Sequence, residues 1–229
     1  TSVIDDDVVS RARQEREGSA IEESRKKKAA GVQPQAKEPE KEVQRQFVNF
    51  AFYKLDPSFR RLSKERKEAA KKEFLEVVEE YDADSDMILL SYTTVGIRAD
   101  ADIMFWRISQ DLESFQKMTT RLYQTDLGSF LVPSYSYLSQ TKRSMYQDMF
   151  NPEHEEDRTH IIPGKAKYLF IYPFVKTREW YLLTQFTRQG IMDEHIFVGN
   201  KYPSVKLNTS YSFGIDDQEF VVAFETDYP

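Results

Sequence analysis

Three histidines, thirteen tyrosines, two tryptophans and no cysteine bound the chemistry open to this 229-residue chain. Without a thiol there is no disulfide, no thiolate nucleophile, no iron–sulfur cluster and no cysteine-type zinc site. Among the histidines, only His195 lies inside a strongly patterned helical stretch, REWYLLTQFTRQGIMDEHIFVGNKYP. An imidazole there has two readings: a metal ligand through a ring nitrogen, or a hydrogen-bonded core residue, which the spacing alone favours. At helical spacing His195 shares a face with Ile191, Met192, Val198, Gly199 and Tyr202. Gly199, one turn on, carries no side chain and would let a flat ligand lie close. His154 and His160 form an HxxxxxH pair within MFNPEHEEDRTHII and read as solvated loop residues. Neither a GxSxG nor a P-loop motif is present, and Asp216-Asp217 read as turn formers rather than paired catalytic carboxylates.

The bulk properties exclude several classes. A net charge of −6 and a pI near 5.3 oppose a nucleic-acid surface, which would carry a basic face. No run reaches about 18 uncharged apolar residues, so no transmembrane helix is expected. An apolar content of 40%, with 14% aromatic, suffices for a core. The mean hydropathy of −0.64 is depressed by the charged N-terminal stretch. Residue 1 is Thr and no signal peptide precedes it, so a processed chain or a fragment is expected.

The elements that must position His195 follow from periodicity. Residues 1–45 are charged, mixed in sign and poor in large apolar side chains. They read as a solvated arm or one that engages a partner subunit. From Phe47 the pattern changes. FVNFAFYKL is a strand stopped by Asp56-Pro57, and a helix follows with Leu62, Ala69, Ala70, Phe74, Val77, Val78 and Tyr81 on one face. Two strands flank Arg98-Ala99-Asp100. A second helix carries Leu112, Phe115, Met118, Leu122 and Tyr123 and ends near Gly128, and LVPSYSYLSQ is the last strand. The order β-α-β-β-α-β over 46–148 is a ferredoxin-like unit. Residues 149–166 form a connection, and 167–229 read strand, one long helix, strand, strand. SYTTVGIRADADIMFWRI and TSYSFGIDDQEFVVAFET repeat one pattern, including Gly96-Ile97 and Gly214-Ile215, which marks a duplicated domain. The second copy stops before its last helix and strand, so a truncated second half is expected.

KYLFIYPFVKTREWYLL, RQGIMDEHIFVGNKY and SFGIDDQEFVVAFE together resemble the chlorite dismutase family of haem proteins, which includes the coproheme decarboxylases. The likeness covers about residue 46 to the end, most specifically Lys-x3-Trp-Tyr, Met-x-Glu-His-x3-Gly and Gly-Ile-Asp-Asp. It implies an α+β fold of two tandem ferredoxin-like halves forming a dimeric α+β barrel, a homopentamer, a haem b or coproheme in each C-terminal half, and a cytoplasmic location. It also implies roles. His195 matches the proximal ligand to haem iron. Lys176 matches a basic residue near the propionates. Trp180 and Tyr181 match an aromatic pair beside the porphyrin, and Tyr181 corresponds to the redox-active tyrosine of the decarboxylases. Arg143 and Tyr146 fall where relatives contact propionates. The distal position, seven before Gly214, is Leu207, with Lys206 or Asn208 as alternatives if the register shifts by one. A leucine there would supply no donor to a developing oxyanion. Three functions are implied in order: a coproheme decarboxylase or weak peroxidase, a non-catalytic haem-binding or structural subunit, and chlorite dismutation.

Overall fold

The structure, a computed structural model, describes residues 45–83, 86–146, 159–164 and 166–229. Nearly all of the charged arm, His154 and most of the 149–166 connection lie outside the described residues. Residues 44–229 fall in one compact unit.

β1 (Phe47–Leu55) is the central strand of the first half and is buried over its middle six residues. It pairs antiparallel with β3 (Ile103–Ser109) on one side and β4 (Leu131–Gln140) on the other. β2 (Met87–Thr93) completes this half outside β3. Asp56 ends β1 by accepting a 2.8 Å hydrogen bond from Ser58 N, which opens a short 3-10 turn at Pro57. Ser63 then caps α1 (Lys64–Asp82), its hydroxyl accepting from Arg66 N. Such a cap is worth about 1 kcal/mol. Asp111 does the same for α2 (Leu112–Tyr123).

Strand side chains alternate between two faces, and each face has its own core. Ala51, Tyr53 and Phe105 point to α1 and α2 and pack with Ala70, Phe74, Val77, Phe115, Met118 and Leu122. The expected helix faces are thus largely those observed, although Ala69, Leu112 and Tyr123 stay exposed. On the opposite face Val48, Phe50, Met104, Trp106 and Ile108 pack against Val221 and Ala223 from the second half. Phe50 stacks on the fully buried Trp106 at 5.5 Å. Burial of each such ring contributes about 1.5–3 kcal/mol.

The second half supplies β5 (Tyr168–Phe174), α3 (Arg178–Leu182), α4 (Gln185–Gly199), β6 (Val205–Tyr211) and β7 (Phe220–Thr226). The described strands form one seven-stranded sheet in the order β2-β3-β1-β4-β6-β7-β5. β4 meets β6 through the single pair Gln140↔Tyr211. Buried polar bonds fasten this join: Ser139 Oγ to Ser210 Oγ at 2.7 Å, and Leu138 N donating to Asp216 Oδ2 at 2.7 Å. Asp216 therefore does more than shape its turn. The two Gly-Ile turns share one geometry. Gly96 and Gly214 both sit at φ +77°, and Thr94 and Ser212 each accept through their carbonyls from the residues three and four further on. A side chain at that φ would be strained.

Two expectations are corrected. The helix expected to run unbroken from Arg178 is two helices, because Leu183 and Thr184 adopt extended backbone and Thr184 Oγ1 caps α4 by accepting from Thr187 N. Tyr202 consequently lies past the end of α4. Gly128 does not close α2, which ends at Tyr123; it opens a 3-10 turn folded back on the helix. A Cβ there would lie 1.8 Å from the Leu122 carbonyl oxygen, so close approach, not helix termination, explains the glycine.

Candidate functional site

In β5 and β7, Leu169, Ile171, Val221 and Ala223 face the shared core. The alternate residues Phe170, Tyr172, Phe174, Phe220 and Phe224 form the other face. There Phe174 stacks on Phe220 at 4.8 Å and Tyr172 meets Phe224 edge-on at 5.8 Å. The corresponding face of the first half is roofed by α1 and α2, which bury three residues each. Over the second half, α4 buries Ile196 alone and leaves Ile191, Phe197 and Val198 exposed. The aromatic wall is thus left open, with Tyr172 53% exposed.

The register separates the three distal candidates by face. Leu207 pairs with Phe224, shares the aromatic face and is 46% exposed. Lys206 and Asn208 point to the opposite face: Lys206 Nζ donates to the Ile162 carbonyl, and the buried Asn208 donates to Glu225 Oε1 at 2.8 Å. The candidate position on the aromatic face is therefore apolar.

At one edge of this wall a cation–aromatic cluster forms. Lys176 Nζ lies 3.8 Å above the Trp180 ring and 5.5 Å from both Tyr146 and Phe220. Tyr146 meets Trp180 edge-on at 6.2 Å. The structure thus brings together four sequence-predicted residues: Lys176, Trp180, Tyr181 and Tyr146. Arg143 lies exposed three residues before Tyr146 on the same segment.

Two further residues of this cluster escaped the sequence reading. Glu219, at the head of β7, accepts from the Tyr181 hydroxyl at 2.5 Å and from the Lys176 backbone N–H at 2.9 Å, both through Oε2. Partial burial and this carboxylate push the Tyr181 phenol well above the ordinary tyrosine range. Burial pulls the Lys176 amine down; Glu219 opposes that shift and Arg188 adds to it. Arg188 is the second missed residue. Its Nε is buried without a hydrogen-bond partner among the described residues. A signal for it existed, since it precedes His195 by two helical turns and so shares its face. Glu219 gave no such signal, for its partners are 38 and 43 residues away.

His195 is exposed and makes no hydrogen bond among the described residues, which rules out the hydrogen-bonded core reading there. The charge of Arg188, two helical turns before His195 on α4, acts on both Lys176 and Tyr181. A Cβ on Gly199 would meet nothing within 4 Å. No group of three or more His, Asp or Glu side chains placed to hold a metal exists among the described residues. A lone exposed imidazole suits a metal whose other ligands arrive with a flat organic ring, and an open aromatic wall suits the apolar face of such a ring. An amine without an ion pair and a guanidinium nitrogen without a hydrogen-bond partner among the described residues suit that ring's carboxylates. The residues present therefore fit a metalloporphyrin with carboxylate side chains. The groove between α1 and α2, about 480 Å³, is no rival, since its Lys117 and Arg121 are engaged by Glu113 and Glu80.

No described helix is long and apolar enough to cross a membrane. Against known proteins, the chain is 31% identical over 140 residues to a coproheme decarboxylase of Mycolicibacterium smegmatis. That match spans 58% of this chain and 56% of the relative, so the chain covers little more than half that protein's length. Among solved structures, a chlorite dismutase of Candidatus Nitrospira defluvii in complex with imidazole superposes with a TM-score of 0.68 at 25% identity, over 80% of this chain and 76% of that one. A mutant of the same enzyme gives 0.70 at 24% identity over 80% and 77%, which attests the mixed α+β fold. The chlorite dismutase family model matches residues 67–229, and the chain belongs to the chlorite dismutase family.

Proposed function

We propose that the chain is a haem-dependent oxidoreductase of the coproheme decarboxylase type. The observation that carries this reading is the edge cluster. A desolvated lysine not engaged in an ion pair among the described residues, a buried guanidinium nitrogen and a tyrosine adjoin an uncovered aromatic wall. His195 is the residue that would hold the iron, and Lys176 and Arg188 would hold ring carboxylates, with Arg143 and Tyr146 nearby. When bound, an iron porphyrin supplies one- and two-electron chemistry driven by peroxide. The protein's part is to orient the ring, exclude water from its apolar side and place Tyr181 beside a carboxylate side chain. Tyr181 is the residue in this reading that gives up an electron and a proton. The family fold and the decarboxylase relative support the reading. In the same reading the chain forms two ferredoxin-like halves closed into a barrel and assembles as a homopentamer, with haem b or coproheme bound.

Titration of the full chain with ferric coproporphyrin, read by its Soret band, tests the site. Binding is expected in the wild type. His195→Ala is expected to lose the axial band and recover it with added imidazole. Peroxide should then convert the bound tetracarboxylate to a dicarboxylate porphyrin, and Tyr181→Phe should bind without turnover. Absence of binding by the wild-type chain overturns the proposal. One observation favours a second reading. Leu207 offers no hydrogen bond on the aromatic face, which suits a haem carrier better than an enzyme that stabilises an oxyanion, and disfavours chlorite dismutation. Binding without turnover of coproporphyrin, peroxide or chlorite would establish it.

A further inference from the structure

We infer that Glu219 positions Tyr181 and receives its phenolic proton when that tyrosine is oxidised, an inference that rests on the redox role proposed above for Tyr181. Three contacts lead to it. The Tyr181 hydroxyl donates to Glu219 Oε2 at 2.5 Å, a short bond to an anionic acceptor. The same oxygen accepts from Lys176 N at 2.9 Å, which clamps the turn leading into α3. Glu219 N donates to the Phe174 carbonyl at 3.2 Å, and its own carbonyl accepts from Ser212 N at 2.8 Å. The acceptor is thus mounted on backbone fixed at both β5 and β6, while the donor sits on a five-residue helix. Rigid mounting of this kind is what a proton-transfer partner needs.

Charge placement supports the assignment. Lys176 feels the charge of Glu219, yet its amine stacks on Trp180 and forms no ion pair with Glu219 among the described residues. The carboxylate is therefore committed to the phenol and a backbone N–H, while the amine stays available for a ligand anion. Arg188 lies close enough to act on Tyr181 but leaves its Nε unpartnered.

The step balances simply. One electron leaves the Tyr181 ring for a porphyrin already oxidised by peroxide, the O–H bond breaks, and the proton passes to Glu219 Oε2. A neutral tyrosyl radical and a neutral carboxylic acid remain, holding the same atoms as before. Without the carboxylate, the proton of a strongly acidic oxidised phenol would have to reach water, or the electron transfer would first create a cation in a half-buried site. Both routes are slower.

Glu219→Gln tests this, since the amide keeps an oxygen in place to accept the hydroxyl but cannot hold the proton. In the full-length apoprotein, ultraviolet titration of wild type against Tyr181→Phe isolates the Tyr181 phenol, and Glu219→Gln is expected to bring its ionisation down toward the ordinary range. In the porphyrin-loaded protein treated with peroxide, the tyrosyl radical signal that Tyr181→Phe removes should form about a hundredfold more slowly in Glu219→Gln, the low end of a positioned base. That rate should climb with pH in the variant and stay flat near neutrality in the wild type. Soret-detected porphyrin affinity should be unchanged, which separates a folding defect from a lost acceptor. If wild type shows the radical and Glu219→Gln forms it at the same rate with the same pH profile, the role of Glu219 is overturned while that of Tyr181 stands. If wild type binds porphyrin and forms no radical at Tyr181, both fall.

Discussion

Replacing Lys176 by Met should weaken binding of a tetracarboxylate porphyrin while leaving the apoprotein about as stable as before. The amine lies 3.8 Å above the Trp180 ring, a cation–π contact worth about 0.5–1 kcal/mol at such a partly exposed site. Against this stands the cost of desolvating the ammonium group, which is what pulls its pKa down. The two oppose each other, so the net effect on folding should stay within about 1 kcal/mol, or about 2–4 °C in Tm. A porphyrin carboxylate changes the balance, because it would pair directly with an amine on which Glu219 acts only at longer range. A charge-assisted bond contributes about 1.5–3 kcal/mol, and screening at a half-buried amine reduces this to about 1–2 kcal/mol. Lys176→Met should therefore raise Kd about five- to thirtyfold. The assay is a Soret titration with ferric coproporphyrin and, in parallel, with its tetramethyl ester. The loss should appear with the acid and vanish with the ester. The pH dependence follows from sign. Lys176 titrates below the usual lysine range, so affinity for the acid should fall as pH rises through that lowered value, and the variant should lack this limb. Equal losses for acid and ester, or none for either, would refute the reasoning.

Three further outcomes follow from the fold. Arg107 is buried and bonded to Asn49 Oδ1 at 2.6 Å, the Phe115 carbonyl at 3.1 Å and Thr119 Oγ1 at 2.8 Å. Arg107→Ala would strand those acceptors, and chemical denaturation should register a loss of about 3 kcal/mol or more. Gly128→Ala would force a Cβ against the Leu122 carbonyl oxygen and should cost about 1–3 kcal/mol by the same measurement, with amide exchange rising at the end of α2. Asp100 is held down to about 2 by Arg98 and Tyr135. Its depressed pKa means the clasp is whole above the ordinary carboxylate value and lost as pH falls through about 2. Tyr135 fluorescence should follow that transition, and Asp100→Asn should abolish it.

Periodicity by itself determined the first half. β1 is buried on both faces because its apolar run has no polar alternation, and α1 and α2 bury three residues each of the faces their 3.6-residue spacing aligns. Composition excluded cysteine chemistry, and the paired Gly-Ile sequences marked two turns of one geometry, since a φ of +77° admits little but glycine at either turn. The histidine at 195 and the Lys176, Trp180 and Tyr181 set were also readable as a pattern of types. Tertiary structure decided the rest. A strand's pleat places Leu207 on the aromatic face and turns Lys206 and Asn208 away, which no count along the chain could choose. Thr184 broke the expected helix because a hydroxyl cap competes with helix continuation, and both states suit the same residues. Glu219 reaches Tyr181 across 38 residues through sheet pairing, and such contacts carry no local signature. Whether an exposed imidazole sits in a core or beside an open wall depends on what α4 packs against. That is a property of three-dimensional packing and not of spacing along a helix.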